Sequence, residues 1–163
     1  IEILSNEPKY EKGIFSTFIK NSKNNDPHNC PVYISSYTFN SNSFYLPKTG
    51  DVVVTSNKID SWFQIEFTKG FVILQGFRFR RHASLMRSYK IICTDDIKKP
   101  IDSWTTLMEI NEEREDEHQI TDIYIFPHQS PLTTIVRIFS TGPRWDGSNG
   151  IKFYHLNFFG SHF

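Results

Sequence analysis

Between Ser61 and Phe67 the chain alternates without a break. Phe63, Ile65 and Phe67 fall on one side, and Gln64 and Glu66 on the other. Side chains of a strand point to opposite faces in turn, whereas a helix repeats every 3.6 residues, so this stretch is a half-buried strand. The same reading makes strands of Phe71–Phe79, Tyr89–Cys93, Ile120–Phe126, Thr133–Phe139 and Ile151–Phe159. Lys69-Gly70 between the first two has the chemistry of a tight hairpin turn. Only residues 11–19 break the pattern: Ile14, Phe15, Phe18 and Ile19 stand at helical spacing, which predicts at most one short helix near the N-terminus. Residues 20–31 are polar and contain Asn-Asn-Asp-Pro, a turn sequence, and Pro100 marks another turn. Residues Glu109–Glu117 carry many acids and almost nothing apolar, and are expected to form a solvated loop. Short strands separated by turns predict an all-β sandwich or jelly roll.

Fifteen Phe, seven Tyr and three Trp suit such a pleated, half-buried framework. With 163 residues, the chain is the size of one domain and can bury a core without covalent staples. It is expected to be a single domain, 1–163, and its opening at Ile1 without Met suggests a fragment or module of a larger protein. Lys+Arg and Asp+Glu balance at 18 each, so no overall field draws in nucleic acid or an acidic membrane. The longest apolar runs, such as Phe71–Leu74, are too short for a membrane-spanning helix. No signal peptide is read at the N-terminus. Cys30 and Cys93 are the only cysteines, too few for a disulfide framework, which points to the cytoplasm.

No catalytic signature is present: there is no Gly-rich phosphate loop, no His-Glu-x-x-His pair and no nucleophile elbow. The six histidines are scattered, and none is spaced to share a metal with another His or with a Cys. Asp95 and Asp96 beside Cys93 oppose a reactive thiolate. An enzyme is therefore not expected, nor a cofactor. Two stretches stand out instead. Arg78, Arg80, Arg81, His82 and Arg87 crowd into ten positions, with Phe77 and Phe79 facing inward and Arg78 and Arg80 outward. They form either a solvated strand face or a loop that reads anions through the forked guanidinium. Thr141–Gly150 is polar and Gly-rich, yet holds Trp145. That indole either plugs its own loop or offers a stacking platform.

Several ordered segments resemble the discoidin (coagulation factor V/VIII C-type, galactose-binding-like) domains common in protist proteins. They are Gly13-Ile-Phe, Asn25-Asp-Pro-His28, Val32-Tyr-Ile-Ser-Ser36, Ser61–Phe67, Gly76-Phe-Arg-Phe79, Ser88–Asp96, Ser103-Trp-Thr-Thr-Leu107, Val136–Gly142 and Phe153–Gly160. Two departures are plain. The family commonly reads Ser-Trp-x-x-x-Gly-Ser-Asn-Asp where this chain has Ser88-Tyr89 and Cys93-Thr-Asp-Asp96, and Cys30 and Cys93 do not occupy the places of the secreted relatives' paired cysteines. The resemblance implies an eight-stranded jelly-roll sandwich whose ligands sit among loops at one end.

Mapped by order, those loops are Ser35–Ser43, Asp51–Asp60, Phe79–Arg87 and Thr141–Gly150. They would gather Arg81, His82, Arg144, Trp145, Tyr37, Phe39 and Asn57. Some relatives hold a structural calcium near an N-terminal loop, where Asn25 and Asp26 would supply too few carboxylates. The resulting expectation is a non-catalytic module that binds a protein partner as an adaptor, because Arg and aromatic residues anchor interfaces. A carbohydrate-binding module is the alternative. A structural part of a ciliary or cytoskeletal assembly is the second alternative.

Overall fold

The computed structural model describes residues 32–36, 52–55, 57–80, 84–113, 122–154 and 156–163. The described elements are ten strands: β1 (Val32–Ser36), β2 (Val52–Val54), β3 (Trp62–Phe67), β4 (Val72–Phe79), β5 (Ser88–Thr94), β6 (Thr105–Asn111), β7 (Asp122–Ile125), β8 (Ile135–Ser140), β9 (Lys152–Tyr154) and β10 (Asn157–His162), with a 3-10 turn at Ile101–Ser103. Among them, β1-β3-β8-β5-β6 form a five-stranded sheet, β10-β4-β7 a three-stranded sheet, and β2-β9 a two-stranded ribbon. Every pairing is antiparallel. Five and three strands in two facing sheets make the expected all-β sandwich. The helix expected over 11–19 lies outside the described residues, as do Asn25, Asp26 and Cys30.

The alternation read from β3 is what the sandwich buries. Phe63, Ile65 and Phe67 point inward and are almost wholly excluded from solvent, together with Tyr89, Ile91 and Cys93 of β5 and Val136 and Ile138 of β8. The opposite layer supplies Val72, Leu74, Phe77 and Phe79 from β4 and Phe158 from β10. The inward set of β4 changes parity because Gln75 is an extra residue facing the step from Phe159 to Gly160. A bulge of this kind adds twist and re-aims the side chains beyond it. Gly160 is needed there, since a Cβ would stand 2.0 Å from the Ile73 carbonyl oxygen.

Four sequence expectations change. Lys69-Gly70 does not close a hairpin, because β3 pairs with β1 and β8 while β4 pairs with β10 and β7. The turn carries the chain from one sheet to the other, and Gly70 adopts φ 74° with the Phe163 backbone packed where a Cβ would be. Residues 151–159 form two strands, β9 and β10, in different sheets. The acidic stretch begins inside β6, where Glu109 is opposite Lys90 of β5. Arg78, expected to face solvent, is buried at 5% exposure, because its face of β4 is covered.

On the outer face of the five-stranded sheet, Arg137 of β8 lies over Trp62 at 4.0 Å and Trp104 at 4.9 Å from the ring centroids. Its Nε donates to Gln64 Oε1 at 2.8 Å. Burial lowers its pKa, and the two indole faces offset that cost. Trp62 and Trp104 are thus part of the framework, and the Trp104 Nε1 also donates to the Lys99 carbonyl.

Ile65 is fully buried at the centre of β3. Ile65→Ala is expected to cost about 2–5 kcal/mol, because the packed sheets cannot collapse onto the cavity. A denaturant titration checks this, and a loss well under about 1 kcal/mol would show that the face is not packed.

Candidate functional site

Three described stretches meet at one pole: 57–61 before β3, 84–87 before β5, and 141–151 after β8. The last is central and bonds to both others. On one flank the Asn149 N–H donates to Asn57 Oδ1 at 2.6 Å, and Thr55 exchanges two bonds with Ile151. On the other flank the Trp145 N–H donates to the Leu85 carbonyl at 3.0 Å, and the Thr141 N–H to the Ser88 carbonyl at 3.1 Å. Leu85 holds φ 55°, a left-handed conformation uncommon for a residue with a branched side chain. Such strain persists only where surrounding contacts impose it, and here it lies where two loops meet.

Within the central loop, Asp146-Gly147 makes the turn. Asp146 Oδ1 accepts from the Ser148 N–H at 3.1 Å, the side-chain turn that Asp favours, and Gly147 takes φ 81°. The Ser148 hydroxyl also donates to Asp146 Oδ1 at 2.5 Å and receives two bonds from the Arg144 guanidinium. Arg144 Nε lies 3.4 Å from Asp146 Oδ1. Burial alone would raise the Asp146 pKa, but the Ser148 hydrogen bonds and the charges of Arg144 and Lys152 outweigh it and hold the carboxyl below its usual value.

The Trp145 indole is half-buried. The Arg87 guanidinium carbon lies 4.5 Å from its centroid, covering one face. Its Nε1 is directed at Glu112 Oε2 at 3.4 Å, and Glu112 Oε1 accepts from the Tyr124 hydroxyl at 2.9 Å. Among the described residues no other ring or cation lies against the indole.

Of the residues singled out in the sequence, the structure therefore brings Asn57, Arg144 and Trp145 to one loop cluster. Arg81, His82, Tyr37 and Phe39 lie outside the described residues. Sequence reasoning passed over Glu112, hidden in an acidic run, and Asp146 and Ser148, although the Asp-Gly-Ser order is itself a turn signal. It noted Arg87 only as one of a cluster. Nothing at the pole among the described residues forms a group able to hold a metal ion. The Cys93 thiol is in the core, where burial pushes its pKa up to about 11, far from that of a nucleophile.

No family model and no curated protein matches the chain. Solved structures do. The chain is similar to chitosan-binding module 1 of a chitosanase/glucanase from Paenibacillus sp. IK-5, with a TM-score of 0.61 and 15% identity over 80% of this chain and 96% of that one. It is also similar to the family 32 carbohydrate-binding module of Clostridium perfringens NanJ in complex with galactose, with a TM-score of 0.58 and 11% identity over 78% and 93%. A third is a C. perfringens module in complex with GalNAc-β-1,3-galactose, with a TM-score of 0.58 and 11% identity over 79% and 95%. The chain has the discoidin-type, galactose-binding-like β-sandwich fold. A family 89 glycoside hydrolase from C. perfringens also matches, over 14% of its own length.

These findings overturn the adaptor expectation, since the similar structures named above are mainly carbohydrate-binding modules. The residues agree. Arg87 lies over Trp145 and bonds to Glu112, and Arg78 is buried, so these two arginines are not the free anchors that a protein interface uses. The ciliary and protist setting receives no support from the same comparisons. Among the described residues, no helix is long and apolar enough to cross a membrane.

The Asp146 carboxyl is expected to titrate below the ordinary 3.8 in a carboxyl-detected NMR titration. Its folded pKa is depressed, so the loop order it supports is complete above that ordinary value and is lost as pH falls through the lower, folded one. Ser148→Ala should move the midpoint upward, and an unmoved midpoint would show that the hydroxyl does not hold the carboxylate.

Proposed function

We propose that this chain is a non-catalytic carbohydrate-binding module of a larger protein, and that its site is the pole built by the 141–151 loop. The observation that carries the reading is Trp145: a half-buried indole in a polar, Gly-rich loop, with one face taken by Arg87 and its N–H aimed at Glu112. The apolar faces of a pyranose ring stack on an indole, and polar groups beside it take the hydroxyls. Asn57 and Asn149 supply amides on one flank, and Arg144 supplies donors from within the loop. Arg81 and His82, next to Arg80 in the chain, and Tyr37 and Phe39 are proposed as further contacts. The loop is pre-ordered by its own hydrogen bonds, so less ordering entropy opposes binding.

Galactose, N-acetylgalactosamine and chitosan oligosaccharides are the first ligands to try, since similar structures are described as binding them. The reading is supported by the shared fold and by the chemistry of the pole together.

Isothermal titration with these sugars, backed by a glycan array, is expected to give at least one specific hit. Trp145→Ala should remove binding and Asn57→Ala should weaken it, while both variants still unfold cooperatively near the wild-type melting temperature. Silence across the array with a folded protein would overturn the reading. Unfolding of Trp145→Ala would show that the indole is a structural plug.

A further inference from the structure

We infer that Glu112 is the positioning residue of this site, setting the orientation of Trp145 and Arg87 from a base in the core. The inference rests on the carbohydrate-binding reading and names the group that shapes it. Glu112 directly follows β6 and is half-buried. Its four polar groups all act on the site or its support. Its N–H donates to the Arg87 carbonyl at 3.0 Å, and its own carbonyl accepts from Arg87 Nε at 3.0 Å. One carboxylate oxygen accepts from Tyr124 and the other faces the indole N–H of Trp145. Arg87, clamped at both backbone and side chain, then covers one face of the indole.

The chain of contacts continues inward. Tyr124 is stacked on Phe77 at 4.9 Å and on Phe79 at 5.9 Å, both fully buried. The orientation of the site indole is thereby referred to the rigid core through Tyr124 and Glu112, and does not depend on the Gly-rich loop alone. An indole free to rotate would have to be immobilised by each ligand, which weakens binding without removing any contact. Glu112 is not proposed to touch the sugar, because both its carboxylate oxygens already have partners.

The test uses the full chain with Glu112→Ala, Glu112→Gln and Tyr124→Phe. Two readouts are taken: galactose affinity by calorimetry, and iodide quenching of the Trp145 emission, obtained by difference from Trp145→Phe. Glu112→Ala is expected to weaken galactose binding about 3- to 10-fold, the range set by immobilising one large side chain, and to raise quenching of Trp145. Glu112→Gln should restore both, since a carboxamide can accept from the indole and donate to the tyrosine oxygen. Tyr124→Phe, which opens no cavity, should shift both readouts the same way by less.

Wild-type quenching and affinity in Glu112→Ala, with only a lower melting temperature, would overturn the inference. Glu112→Gln as weak as Glu112→Ala would overturn it too, because the carboxylate would then be a direct ligand contact. If Glu112→Ala does not fold, unchanged quenching in Tyr124→Phe overturns it. If galactose does not bind the wild type and no other sugar does, the carbohydrate reading falls, while the quenching comparison still decides what holds the indole.

Discussion

Tyr89 is the wedge on which the architecture depends. It enters the core from the five-stranded sheet and meets Phe77 and Phe79 of the three-stranded sheet edge-on, each at 6.2 Å, and Phe153 of the ribbon at 5.5 Å. Phe153 in turn meets Phe79 edge-on at 4.8 Å. The positive ring edge against the negative ring face makes each such pair worth about 0.5–1.5 kcal/mol beyond its burial. More important is what the wedge fixes. All three sheets converge on one cluster, and three of its members, Phe79, Tyr89 and Phe153, flank pole segments. Phe79 ends β4, Tyr89 follows 84–87 at the start of β5, and Phe153 follows 141–151. The loops therefore emerge from a base that cannot shift without breaking aromatic packing.

The pole is stiffened by the same economy. The 141–151 loop has little apolar burial of its own, and its order comes from hydrogen bonds: the Asp146 turn inside it, Asn57 on one flank and Leu85 on the other. A guanidinium stacks on indole rings at two places among the described residues, Arg87 on Trp145 at the pole and Arg137 on Trp62 and Trp104 on the outer sheet face. In the second case the guanidinium serves the framework. In the first it covers one face of the indole at the pole.

Strand β3 was legible because it has no bulge, and alternation survives along all of it. β6 was not. Leu107 is an extra residue opposite the Ile91–Ile92 step, so its two buried residues, Leu107 and Ile110, are three apart and fit no period of two. With Glu109 and Glu112 interleaved, the segment looked like solvated loop, and Glu112 was lost with it. The hairpin expected at Lys69-Gly70 failed for a different reason: a Gly turn between two strands reads the same whether it closes a ladder or crosses between sheets. At the pole, Trp145 stood out because an indole in a polar, Gly-rich loop has no core to enter, whereas Arg144 and Asn57 came only from the loops that the family resemblance implied.

Local periodicity determined the strands and the all-β class, since a residue's face along a strand depends only on its own position in the pleat. Composition alone excluded a strong charge field and a dense disulfide framework. Which strands pair, which way the arginines turn, and which loops share a pole were decided by tertiary structure. Those outcomes depend on partners distant in the chain. Arg78 is buried by what covers its sheet face, and Trp145 is aimed by a glutamate 33 residues away in the chain.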